Sequence, residues 1–405
     1  MRREDIVKQL QLRLLTLDDL DEFNKLLRYA FQVTNDDLLK TGWNNEEIKQ
    51  AKTPILKKAQ VLGYFQGVNL VSQIALYPMQ MNVYGKIFKM CGITGVATYP
   101  EYSSLGLMKN LMKEALVKMR ENAQSISCLY PYSIPYYRSR GWEIISDKMT
   151  FKLKDNQLPK TIPTHGIIKR VKANDKDLIE LHNIFARQTH GCLVRDELAW
   201  DEYWRWDVED EMIAIYYNEA GEPRGYVVYL LENDVFFIKE MIYLDTEANM
   251  GLWNYIKAHN SMFDELRGAN YSNETLSFLL DDGSIKETIM PYIMARIVDV
   301  ELFFKQYPFD FATKKASISF EISDSLLEWN NKTFNLKFEK DQVIFDSKKS
   351  KNKIKLDIQT LSTMFLGYKR PLYLKKIGRL QADKKSIDLL EEILPEGKAY
   401  FSDYF

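Results

Sequence analysis

Apolar residues recur at helical spacing from Leu17 to Gln32, behind an acidic first turn, and again from Leu107 to Glu121, where Leu107, Leu111, Ala115 and Met119 share one side. Between these two predicted helices lie short runs rich in valine, isoleucine and aromatics. Ala59 to Phe65, Asn69 to Pro78 and Ile87 to Thr98 read as strands, parted by turn residues such as Gln66-Gly67 and Tyr84-Gly85. A further strand is expected at Ser125 to Tyr130. Lys154 to Thr164 is polar, contains proline and reads as a linker.

Behind the linker the same grammar restarts. Gly166 to Lys172 predicts a strand and Asp175 to Arg187 a helix; strands follow at Met212 to Tyr217, Gly225 to Glu232 and Val235 to Leu244, then a helix from Glu247 to Phe263. This order repeats that of the first segment and suggests a diverged duplication. From Met294 the pattern changes to a helix at Ile297 to Tyr307 and strands at Ala316 to Ser323, Lys332 to Glu339 and Gln342 to Ser347. A basic stretch, Lys348 to Lys355, reads as a solvated loop, and two short helices, Asp357 to Phe365 and Ser386 to Leu394, follow it. The expected organisation is an α/β (α+β) chain in three parts: residues 1–155, 156–293 and 294–405.

Composition narrows the function classes. With 405 residues, 46% hydrophobic and 27% charged, the chain can bury several cores. A net charge of -1 gives no overall field for nucleic acid or an anionic membrane, so neither is an expected partner. The N-terminal stretch is amphipathic and no run of about 18 apolar residues occurs, so a cytoplasmic location is expected. Cys91, Cys128 and Cys192 are odd in number and widely spaced, which predicts buried free thiols. The four histidines form no metal-ligating pattern, and no metal is expected.

Candidate chemistry concentrates in two blocks. In the first, Gly95-Val96-Ala97-Thr98-Tyr99-Pro100-Glu101-Tyr102-Ser103-Ser104-Leu105-Gly106-Leu107-Met108-Lys109, a strand ends in a tight loop that opens a helix. The first N–H groups of a helix are unpaired and, with the helix dipole, form a cradle for phosphate, and Gly106 keeps side chains out of the way. Packing alone also produces strand, loop and helix in this order. The second block is Pro131-Tyr132-Ser133-Ile134-Pro135-Tyr136-Tyr137-Arg138-Ser139-Arg140-Gly141-Trp142-Glu143.

The first block resembles the acetyl-CoA motif of GNAT acetyltransferases, and the second resembles the GNAT segment in which a tyrosine precedes a Gly-aromatic pair. The first departs from the motif where Ser103 stands at a position usually basic and Met108 at one usually small; Lys109 is a candidate for the missing charge. The resemblance implies cofactor binding by Val96, Ala97, Thr98, Ser103, Ser104, Leu105, Gly106, Leu107, Met108, Lys109, Tyr132 and Ser133, and catalysis by Tyr137. A phenol with a reference pKa of about 10 is protonated at pH 7 and can give a proton or a hydrogen bond to the departing thiolate.

With Arg296-Ile297-Val298-Asp299-Val300, Phe320-Glu321-Ile322-Ser323-Asp324 and Leu361-Ser362-Thr363-Met364-Phe365-Leu366-Gly367-Tyr368, the whole chain resembles the enhanced intracellular survival (Eis) family. That resemblance implies tandem GNAT folds with mixed central sheets and a small sterol-carrier-like domain. It further implies a hexamer and acetylation of amines on a small cationic molecule or peptide, aminoglycosides in some members. It also implies that the free carboxylate of the last residue, Phe405, enters the active site. The ending itself is unusual: Tyr400, Phe401, Tyr404 and Phe405 are aromatic where chain ends are usually polar and frayed. An α-carboxyl of reference pKa about 3.3 to 3.7 is too acidic for an efficient base, and burial among aromatics would raise it.

In the second segment the corresponding loop, Asp245-Thr246-Glu247, is acidic and would repel pyrophosphate, so that domain is expected to be scaffold. The alternative is a hydrophobic-ligand-binding protein with non-catalytic GNAT scaffolding.

Overall fold

A computed structural model of the chain describes residues 3–34, 45–205, 211–272, 274–310, 316–339 and 342–405. Three mixed sheets organise it. The first runs in the spatial order Leu10–Leu14, Gln60–Gln66, Asn69–Val83, Lys86–Thr98, Ile126–Leu129, Met294–Ile297, Glu143–Ile144. The second runs Lys286–Pro291, Asp147–Lys154, Glu265–Asn270, Val235–Tyr243, Pro223–Glu232, Met212–Tyr217, Ile167–Val171. The third, smaller sheet runs Gln342–Phe345, Thr333–Glu339, Ala316–Ser323, Lys353–Asp357, Leu380–Gln381.

The two large sheets exchange strands. Asp147–Lys154 pairs with Glu265–Asn270 and Lys286–Pro291 in the second sheet, although it lies before residue 155. Met294–Ile297 returns to the first sheet, antiparallel to both Ile126–Leu129 and Glu143–Ile144. Thus the first sheet is not built from one continuous stretch of chain, whereas the strands of the second all lie between Asp147 and Pro291.

Local patterns explain the elements. Strands buried on both faces lose polar alternation, and Asn69–Val83 is buried at nearly every position, between the helix Leu20–Ala30 on one face and Leu107–Glu121 on the other. Thr333–Glu339, with one covered face, alternates strictly. The helix Leu107–Glu121 buries Leu107, Leu111, Met112, Ala115, Leu116 and Met119. Truncating Leu111 or Leu116 to alanine would cost about 2–5 kcal/mol.

Two expectations are corrected. The expected helix at Ile297 to Tyr307 is a strand to Ile297 and then a helix Val300–Gln306, because Asp299 caps it by accepting from the Leu302 N–H at 3.0 Å. The expected loop Lys348 to Lys355 contains the start of the strand Lys353–Asp357, whose Ile354 and Leu356 point into the core between exposed lysines. The three cysteines are buried free thiols. No helix among the described residues is long and apolar enough to cross a membrane.

Candidate active site

The strand Lys86–Thr98 runs parallel to Ile126–Leu129, but the ladder holds only for Met90 with Ile126, Cys91 with Ser127 and Gly92 with Cys128. Beyond Gly92 the first strand continues to Thr98 without that neighbour, so the two strands part as a fork. Past Thr98 the chain turns through Pro100–Tyr102 and reaches the helix Leu107–Glu121.

The entry to that helix is left open. Its N-cap is Gly106 at φ +78°, a left-handed conformation that costs a side-chain-bearing residue about 1–3 kcal/mol, and no side chain caps the first turn. The first turn also carries no acidic residue. A Cβ at Gly106 would meet nothing within 4 Å. Beside this open end lies a cavity of about 410 Å³ lined by Val96, Ala97, Thr98, Tyr102, Ser103, Ser104, Gly106, Leu107, Met108, Lys109, Tyr136 and Arg140.

Nine of the twelve residues expected from sequence to hold the cofactor therefore line one cavity. Leu105 sits in the same loop but off the lining. Tyr132 is 94% exposed, and Ser133 is the N-cap of the helix Ile134–Arg138; both are off the lining as well. The other three lining residues, Tyr102, Tyr136 and Arg140, were missed. The Arg140 guanidinium stacks on the Tyr136 ring at 3.7 Å and donates to the Tyr136 carbonyl at 2.9 Å, so the cation is held on the wall facing the loop. Arg138, by contrast, is taken up by the Glu143 carboxylate at 2.8 Å.

Tyr137 is buried, with its ring 6.4 Å from that of Trp142 and 5.2 Å from that of Tyr136. Burial, helped by the neighbouring Tyr136, pushes its phenol up to about 12. The proton therefore stays on at neutral pH.

The C-terminus enters from the other side of the sheet. Phe405 is 8% exposed, and its ring lies so close over Gly92 that a Cβ there would come within 2.7 Å of it. The last residue of the chain thus packs where the two strands part, and only glycine leaves room for it. Tyr77 and Phe401 flank the ring with centroids at 6.3 and 6.2 Å, and Tyr404 packs edge-on against Tyr130 just beyond Ile126–Leu129. On this face a larger cavity of about 1150 Å³ opens along the helix Leu20–Ala30. It carries Asp21, Glu22 and Glu101 together with Tyr29, Tyr99 and Tyr102. Tyr102 lines both cavities.

The second sheet repeats the fork but closes the cradle. Val235–Tyr243 pairs with Glu265–Asn270 only as far as Ile238. At the helix Thr246–Lys257, however, the Asp245 carboxylate accepts from the Ala248 N–H at 2.8 Å and from Arg224 at 2.7 Å. Glu247 adds a second carboxylate in the first turn, accepting from the Tyr216 hydroxyl and the His165 N–H. The place of an anion is taken by the chain's own acids.

Comparison with known proteins agrees with this layout. Family profiles described as acetyltransferase (GNAT) domains match residues 11–145 and 191–297, and one described as a sterol carrier protein domain matches residues 300–402. A protein from Enterococcus faecalis V583, described as a probable N-acyltransferase, has a similar structure with TM-score 0.89 and 29% identity, over 98% of this chain and 99% of that one. A GCN5-related N-acetyltransferase from Anabaena variabilis ATCC 29413 is similar with TM-score 0.85 at 22% identity, over 98% and 100%. Eis1 from Mycobacterium abscessus is similar with TM-score 0.81 at 16% identity, over 98% and 100%. The last two likenesses are of fold. Among curated proteins none matches the sequence.

Proposed function

The chain belongs to the GNAT family of acetyltransferases, and from that premise we propose that it transfers acetyl from acetyl-CoA to an amine within one ternary complex, with the Phe405 carboxylate as base. The observation that carries this reading is the packing of Phe405 on Gly92, at the fork between Lys86–Thr98 and Ile126–Leu129.

The residues present suit acetyl-CoA. The uncapped N–H groups at Leu107 to Lys109 can receive a pyrophosphate, and the charge absent from Ser103 is supplied by Lys109 on the helix and Arg140 on the facing wall. Acetyl-CoA supplies an activated thioester acyl group. Backbone N–H groups of the strand past Gly92, freed from the parallel ladder, are suited to hold the acyl oxygen as it gains charge.

An amine with pKa near 10 arrives as ammonium and cannot attack until a base takes a proton. The α-carboxylate of Phe405, on an apolar and largely buried residue, serves as that base and attracts the cation. Asp21, Glu22 and Glu101 in the larger cavity draw the same charge to the acceptor side. Tyr137 acts at the sulfur. A phenol near 12 is a weaker acid than a thiol near 8.5, so its contribution is a donated hydrogen bond rather than full proton transfer. The phenylalanine-filled core of the third domain, where Phe304 packs on Phe320, Phe334 and Phe365 with centroids 5.2, 6.1 and 5.2 Å away, favours this reading over a lipid-binding one.

Appending a few residues after Phe405 tests the assignment, because it keeps every side chain but turns the carboxylate into an amide. Turnover of a good amine substrate is expected to fall by orders of magnitude with acetyl-CoA affinity retained. Normal turnover by the extended chain would remove the carboxylate from the reaction.

A further inference from the structure

Arg195, Glu240 and Asp403 are buried together, outside the lining of the cavity beside Gly106 and without any role in the chemistry described above. Arg195 follows the short strand Leu193–Val194, and its side chain is fully enclosed. Its Nε donates to Asp403 at 2.7 Å, while its two terminal nitrogens donate to Glu240 at 3.1 and 2.8 Å. The guanidinium lies over the rings of Tyr203 and Trp200, at 4.0 and 4.6 Å. Glu240 stands two residues past Ile238, where the ladder in the second sheet ends, and also accepts from the Tyr226 hydroxyl at 2.6 Å and from the Ser402 hydroxyl at 2.9 Å.

Two of these partners, Ser402 and Asp403, belong to the C-terminal tail. The same tail is tied by the Tyr400 N–H to the His190 carbonyl at 2.8 Å and by the Tyr292 hydroxyl to the Asp403 carbonyl at 3.0 Å. The fork of the second sheet thus grips residues 402 and 403, and the fork of the first holds residue 405.

Stability alone does not explain charges at this place. Replacing a buried ion cluster by apolar side chains of equal volume is often neutral or favourable, whereas a charge cluster accepts only one register of its partner. A slip of one residue would bring Ser402 or Tyr404 against Arg195 and leave the guanidinium with one carboxylate. Two extended residues span about 7 Å, so a fixed Asp403 confines the chain end to a small region.

We propose that Arg195 and Glu240, in the second domain, are positioning residues for the C-terminus, clamping Asp403 and Ser402 so that the Phe405 carboxylate is held at the fork beyond Gly92. This rests on the reading of that carboxylate as the base. The degenerate domain then has a task, which is to hold the catalytic end of the chain.

The test uses the full-length protein and an Asp403→Leu variant, which removes the tail's ion pair to Arg195 while Arg195 stays neutralised by Glu240, so the domains remain folded. Carboxypeptidase release of Phe405 should become at least tenfold faster, and kcat should fall at least tenfold, with the Kd for acetyl-CoA within twofold of the parent. Asp403→Asn keeps an acceptor for Arg195 and should restore most of both; Arg195→Met should behave as Asp403→Leu if it folds. Unchanged release and unchanged kcat in Asp403→Leu would overturn the clamp, and would do so alone if C-terminal extension still abolishes turnover. Faster release with unchanged kcat would instead overturn the carboxylate as base, and with it the catalytic purpose of the clamp.

Discussion

The helices Leu107–Glu121 and Thr246–Lys257 occupy the same place in two similar sheets, yet their first turns are opposites. At the first, Gly106 leaves the N–H groups bare beside a cavity with Lys109 and Arg140. At the second, Asp245 occupies the N–H of Ala248 and Arg224 neutralises the carboxylate. A helix N-terminus attracts negative charge in either case; at the second the chain supplies it, and at the first, on the reading proposed above, acetyl-CoA would. Shared topology therefore does not give shared chemistry, and the cap residue decides.

The largest effect should come from closing the open cradle. Gly106→Glu places bulk and negative charge where the phosphates would lie, and acetyl-CoA binding measured by calorimetry should be lost. Gly106→Ala, which carries only the left-handed strain, should keep it. Retained binding in the glutamate variant would break the comparison at its first term.

Next in size is Tyr137→Phe. Loss of one hydrogen-bond donor at the sulfur should lower kcat by roughly tenfold to a thousandfold with the Kd for acetyl-CoA nearly intact. A fully active variant would take Tyr137 out of the mechanism.

Opening the closed cradle should do far less. Asp245→Ala removes a cap and should cost about 1 kcal/mol in urea unfolding. It should create no second acetyl-CoA site, since Glu247 still occupies the first turn. A gain of binding would show that Asp245 alone separates the two domains.

The last effect is a shared one. Burial holds His190 at about 4 and His182 at about 3, below the 6.5 of the unfolded chain. Between pH 6.5 and 5 only the unfolded state takes up these protons, so stability should fall with pH by up to about 1.4 kcal/mol per unit for each histidine. At lower pH Glu240 adds to the loss. Burial alone would raise its carboxyl, but Arg195 and the hydrogen bond from Tyr226 hold it at about 2, so its contribution is lost progressively as pH drops from about 4.5 towards 2. Thermal melts across this range would show a flat profile if the histidines were charged in the native state.

Much of this was legible in the sequence, and the reasons are local. The periodicity of Leu107 to Glu121 matches the observed helix at both ends, because its buried stripe and the glycine before it are neighbours in the chain. The acidic loop at Asp245 carried its meaning in three residues, and the aromatic ending signalled burial without showing where. The rest was non-local. The exchange of Asp147–Lys154 and Met294–Ile297 between sheets leaves no mark on either strand's own pattern. Arg140 looks like any surface arginine until the turn after Tyr137 brings it opposite Ser103. Arg195, Glu240 and Asp403 come from positions up to 208 residues apart, and each alone reads as a solvated charge.

The stoichiometry of acetyl-CoA on the purified chain, measured by titration calorimetry, tests most directly whether only one of the two domains kept its cradle. One molecule bound per chain, lost in Gly106→Glu and unchanged in Asp245→Ala, is the predicted result. Two per chain, or one that survives Gly106→Glu, would contradict it.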